Sequence, residues 1–119
     1  MSRRPRPHVS QETLHIAREY LEHRGYTVLD SNSRQSPVDL VAQVDDLFVF
    51  FTVKTLPDTR ALSNYATDRQ KVQIRKASAR WLQAHPEITE PGGLRFDSIA
   101  VTTTDTGRVM RIDHIEGLY

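Results

Sequence analysis

An acid and an amine, Asp39 and Lys54, bracket two short apolar runs, Val38 to Val44 and Leu47 to Val53, that are separated only by Asp45 and Asp46. If those two aspartates form a two-residue hairpin loop, Val44 faces Leu47 and Asp39 falls opposite Thr52. Side chains alternate along a strand, so Asp39, Thr52 and Lys54 share one side with Val41, Gln43, Phe48 and Phe50, while Leu40, Ala42, Val49, Phe51 and Val53 take the other. A hairpin apolar on both faces is covered on both faces. There an aspartate and a lysine are costly unless they pair or border a cleft. The pattern is that of a chemical site or of a buried ion pair.

Few other routes to chemistry are open. The 119 residues contain no cysteine, which removes thiolate catalysis, disulfides and cysteine-held metals. Carboxylates, lysine, histidine and hydroxyls remain. His8, His15, His23, His85 and His114 are scattered, and His15 and His23 lie two turns apart on one predicted helix, too far to share a metal. The length is that of one domain, with 38% hydrophobic and 26% charged residues. No run is long enough to cross a bilayer and the N-terminus lacks a signal-peptide core, so a cytoplasmic location without membrane contact is expected.

Formal net charge is only +1, but the cations are clustered. Arg3, Arg4 and Arg6 alternate with prolines in residues 1–9, a flexible basic arm preceding a single domain over 10–119. Arg69, Lys71, Arg75, Lys76 and Arg80 decorate one predicted helix. Such clusters either contact phosphates or form a solvated face.

The elements that position these groups follow from spacing. Ser10 caps a helix with Leu14, Ala17, Tyr20 and Leu21 on one stripe, ended by Gly25. Tyr26 to Leu29 reads as a strand and Asp30 to Pro37 as a loop, followed by the hairpin. Leu56 to Asn64 is expected to connect to a helix from a cap at Thr67 to about Leu82, broken by Pro86 and the Pro91, Gly92, Gly93 cluster. On it Ile74, Ala77 and Trp81 are spaced to pack together, with Trp81 as a core anchor. Leu94 to Thr102 and Arg108 to Ile112 complete the strands. The order αβββαββ predicts an α/β (α+β) fold with a central mixed sheet flanked by helices.

Gly25 and Tyr26, Asn32 and Arg34, Val38, Asp39 and Leu40, the run Phe50 to Lys54, a lysine-bearing helix and Arg95, Phe96 and Asp97 together resemble the YraN-like family of the restriction-endonuclease-like, or PD-(D/E)XK, superfamily. That resemblance implies Asp39 as a ligand of magnesium or manganese, Lys54 as the catalytic lysine, and Thr52 in the place of the second metal-binding acid. A hydroxyl is a neutral, weak ligand for such a cation. The family's acids on the first helix and before the strand aspartate are replaced by Leu14 and Pro37. Glu12 does not substitute, because at 100° per residue it lies about 200° from Leu14, away from the sheet. Asp58 and Asp68, in or beside the connection, are the carboxylates able to swing toward Lys54.

The expected function is therefore that of a catalytically impaired relative of these nucleases. It would bind DNA, branched or single-stranded, or another nucleic acid, through Arg3, Arg4, Arg6, Arg69, Lys71, Arg75, Lys76 and the Lys54 end of the hairpin. Asp39 and Lys54 would pair directly or through Thr52. Two alternatives stand beside it: an active metal-dependent endonuclease or resolvase, and a protein-interaction module on a nuclease scaffold. Arg95 and Asp97 are expected to be a structural pair.

Overall fold

A computed structural model describes residues 10–31, 37–57, 68–88 and 92–117. Helix α1 (Gln11–His23) begins where the Ser10 side chain accepts the N–H of Thr13 at 3.1 Å, satisfying one of the helix's unpaired donors. It ends as predicted at Gly25, whose φ of +89° few other residues adopt. Strands β1 (Thr27–Ser31), β2 (Leu40–Val44) and β3 (Leu47–Pro57) precede helix α2 (Asp68–Gln83), and β4 (Gly93–Thr103) and β5 (Val109–Ile115) follow. The order αβββαββ and the mixed sheet are those the sequence predicted.

The five strands lie in the order β1-β2-β3-β4-β5. β3 and β4 run parallel from Leu47 opposite Gly93 to Pro57 opposite Thr103, and every other neighbouring pair is antiparallel. Three strands run past the ends their sequence pattern suggested, β1 through Asp30 and Ser31, which were expected to open a loop and instead pair with Val41 and Leu40. β3 continues past Lys54 to Pro57 because β4 supplies a parallel partner along its whole length, and β5 continues past Ile112 through two polar residues because β4 pairs with them.

Alternation splits the core in two. Leu14, Ala17 and Leu21 of α1 pack on Leu40, Ala42, Val49, Phe51, Val53, Ile99 and Val101. Ile74 and Ala77 of α2 pack on Val41, Phe48 and Phe50, with Trp81 and Phe96 beside them. Because 48 and 50 alternate with 49, 51 and 53 along β3, the helices cover opposite faces of the sheet. Trp81 is the anchor predicted: it meets Phe50 edge-on at 5.8 Å, and its indole N–H reaches Asp30 at 2.8 Å. Among the described residues, no helix is long and apolar enough to cross a membrane.

The candidate site and a second polar centre

The hairpin forms with the register that its length dictated. Val44 faces Leu47 and Leu40 faces Phe51, with Asp45 and Asp46 as the turn. Asp45 takes a φ of +54°, the sign that two-residue loops require and that aspartate tolerates. The backbone of Gly92 lies against Asp46, donating to its carbonyl at 2.8 Å, and a Cβ at Gly92 would overlap the Asp46 carboxylate. A side chain at that position would have to turn the exposed Asp46 carboxylate aside.

Asp39 is fully buried just before β2. Its own N–H reaches the Phe51 carbonyl at 2.8 Å, and its Oδ2 accepts the N–H of Val53 at 2.8 Å. Extending the hairpin register would set Val38 opposite Val53. The carboxylate instead receives that donor, so Asp39 caps the ladder where the chain leaves the sheet. Thr52 and Lys54, both half-buried, flank Val53 and alternate with it onto the α2 face. Ser98 of β4, opposite Thr52, extends the row. Beyond it, on the α1 face, Thr55 meets Thr13 at 3.0 Å, tying the start of α1 to the Lys54 end of β3.

As a metal site this set is poor. One carboxylate, already engaged by a backbone N–H, stands with a hydroxyl and an amine, whereas magnesium and manganese take several oxygen ligands, usually more than one of them charged. No three potential ligands gather elsewhere among the described residues. Glu12 is exposed and Leu14 is buried in the α1 core, as helical geometry predicted. Asp68 opens α2, whereas Asp58 lies outside the described residues.

The cations of α2 divide by face. Ile74, Ala77 and Ser78 are buried, Lys71 is half-buried beside them, and Arg69, Arg75, Lys76 and Arg80 are exposed. At 100° per residue, Arg69, Lys76 and Arg80 fall within about 40° of arc, a single outward line with Arg75 set apart. Arg3, Arg4 and Arg6 lie outside the described residues.

The other sheet face holds a polar centre only half visible in the sequence. Asp97, 1% exposed, accepts Arg95 Nη2 at 2.7 Å and Nε at 2.9 Å, His114 Nε2 at 2.8 Å and the Gly117 N–H at 3.0 Å. Arg95 also donates to the Tyr26 hydroxyl at 2.6 Å, and the second His114 nitrogen meets the Tyr20 hydroxyl at 3.1 Å. Burial by itself would raise the Asp97 carboxyl. The hydrogen bonds from His114, Arg95 and Gly117, with the Arg95 charge, overcome this and hold it below its ordinary value. With Asp97 ionised, His114 donates to it through Nε2, while Nδ1 shares a hydrogen bond with the Tyr20 hydroxyl. Burial raises Tyr20, more than Arg24 lowers it, so the phenol stays protonated.

The Arg95–Asp97 pair was expected, but His114 was not. The apolar pattern stops at Ile112, so nothing local extends a strand to residue 114; only the β4–β5 register, which sets Ile99 opposite His114, brings it beside Asp97. A cleft of about 840 Å³ opens next to this centre, bordered by Tyr20, Tyr26 and Arg95 and by acids at Asp45, Asp46 and Glu116. Its mixed charge favours no one class of ligand.

The model of the uncharacterised protein family UPF0102 matches residues 15–101, a span containing Asp39, Thr52, Lys54, α2 and Asp97 and ending before His114. A UPF0102 protein of Frankia casuarinae is 35% identical over 108 residues, covering 87% of this chain and 89% of its own length. A UPF0102 protein of Rhodopseudomonas palustris is 34% identical over 105 residues, with 87% and 76% covered, and one of Chloroflexus aurantiacus is 35% identical over 101 residues, with 83% and 82% covered. With the mixed sheet and the hairpin acid and lysine in place, the chain belongs to UPF0102, the YraN-like family of the restriction-endonuclease-like superfamily.

Proposed function

We propose that this protein binds nucleic acid along α2 and the Lys54 face of the sheet, holding the phosphate backbone without cutting it. The observation that carries this reading is how differently the two helices neutralise their charge. On α1, Arg18 pairs with Glu22 at 3.3 Å and His15 meets Glu19 at 3.6 Å, each one turn on. On α2, five cations stand against the single acid Asp68, and Arg69, Arg75, Lys76 and Arg80 form no salt bridge among the described residues. An outward line of unneutralised cations, in a chain of net charge +1, is a local positive field of the kind that phosphates answer.

Binding of this kind neutralises phosphates and releases condensed counterions, with no reading of base edges. Lys54, at the end of the hairpin, would add a point charge on the α2 face. Cleavage is not part of the reading because Asp39 caps β3 and Thr52 brings no charge to a metal.

The test is fluorescence anisotropy of the full chain on labelled single-stranded, duplex and branched DNA, at salt concentrations from about 50 to about 200 mM. Affinity should fall steeply with salt. On duplex DNA, Arg69→Ala, Lys76→Ala and Arg80→Ala should each reduce the log–log slope by about 0.9 for every phosphate that the variant no longer neutralises. Failure to bind any form at low salt would overturn the proposal. Manganese-dependent cleavage that disappears in Asp39→Ala would overturn its non-cleaving half.

A further inference from the structure

β5 is an edge strand of the sheet, with no strand on its outer side among the described residues, and it is built to match itself. Val109 and Met110 are exposed, Met110 by 56%. On the same strand Arg111 and Asp113 share one face, their side chains 56% and 33% exposed and held together at 2.9 Å. Counting outward from Ile112, an antiparallel copy of this strand would set Arg111 opposite Asp113 of the second copy and Asp113 opposite its Arg111. Met110, the extra residue of a bulge in β5 between Val109 and Arg111, falls outside this pairing. Both charge pairs become complementary at once, which an unrelated strand would match only by chance.

We infer that β5 is the interface of a twofold dimer, in which two copies of this chain join edge to edge about Ile112 into one continuous sheet. Opposite charges at symmetric positions meet favourably, whereas other registers shift them out of line. Both outer strands are bulged, β1 between Val28 and Asp30 and β5 between Val109 and Arg111, so the pairing rests on the regular stretch of β5 from Arg111 onward. An axis through antiparallel strands stands perpendicular to the sheet, so both Lys54 faces lie on one side of the dimer. Counted from β3 to its symmetry mate, five strand spacings separate them by roughly 24 Å. The inference does not depend on nucleic-acid binding.

Sedimentation equilibrium of the full chain tests it. The native protein should be a dimer. Arg111→Asp sets aspartate against aspartate in both symmetric pairs, and Asp113→Arg sets arginine against arginine, so each variant alone should dissociate with Kd raised roughly tenfold or more. Mixing the two variants restores opposite charges at both positions and should recover a mixed dimer, which an unfolded variant could not form. A monomeric native protein, a dimer indifferent to both reversals, or a mixture that stays monomeric would each overturn the inference.

Discussion

At the end of the hairpin, Asp39 accepts the N–H of Val53, between Thr52 and Lys54, at 2.8 Å; on the α1 face, Asp97 receives a guanidinium, an imidazole and the Gly117 N–H. Both acids are buried beside a cation-bearing strand, yet their roles differ. Asp39 replaces a missing rung where the hairpin ladder ends. Asp97 joins β4, β5, the end of α1 and the start of β1, a task that holds distant parts of the chain together. A buried carboxylate near a lysine is thus no evidence of catalysis until what its oxygens touch is known.

The sharpest way to break this contrast is Asp97→Asn. Removing the charge leaves Arg95 and His114 without their common partner, and urea denaturation should show a loss of about 3–5 kcal/mol. Because the Asp97 carboxyl is held below its ordinary value, its contribution is present above about pH 4, the unfolded value, and declines as the pH falls through the lower folded value. The gap between native and Asn proteins should therefore narrow below about pH 4; a gap constant with pH would contradict the assignment. Asp39→Ala strands the Val53 N–H and should cost about 1–3 kcal/mol, whereas Asp39→Asn keeps an amide oxygen there and should retain most of the stability. Equal losses in both would show that the charge, not the cap, matters at Asp39. Arg18→Ala, on the neutralised helix, should have the smallest effect, under about 0.5 kcal/mol by thermal or chemical unfolding, with DNA binding unchanged.

Several elements were legible because their signals are local. Ser10 and Gly25 bound α1 by capping and by a positive φ, and Asp45–Asp46 between two apolar runs fixes the hairpin register from Val44 opposite Leu47 to Leu40 opposite Phe51. Glu12 and Leu14 separated correctly through the helical angle alone. The ends of β3 and β5 were less legible. Lys54, Thr55 and the terminal Pro57 weaken the strand pattern of β3, and Asp113 and His114 weaken that of β5, while the partner that holds each extension is β4, distant in sequence. Propensity sees neither pairing.

Composition, periodicity and turn chemistry were enough to define the element order and the two-faced hairpin, since these depend on neighbours a few residues apart, while the gaps in the acid set came from the family resemblance. The register of β4 against β3 and β5 decided which side chains meet across the sheet. It set Asp97 beside His114, 17 residues on, and completed a centre with Tyr20, 94 residues before the histidine. Pairings at such separations are specified by the closing of the whole chain, and no short stretch of sequence encodes them.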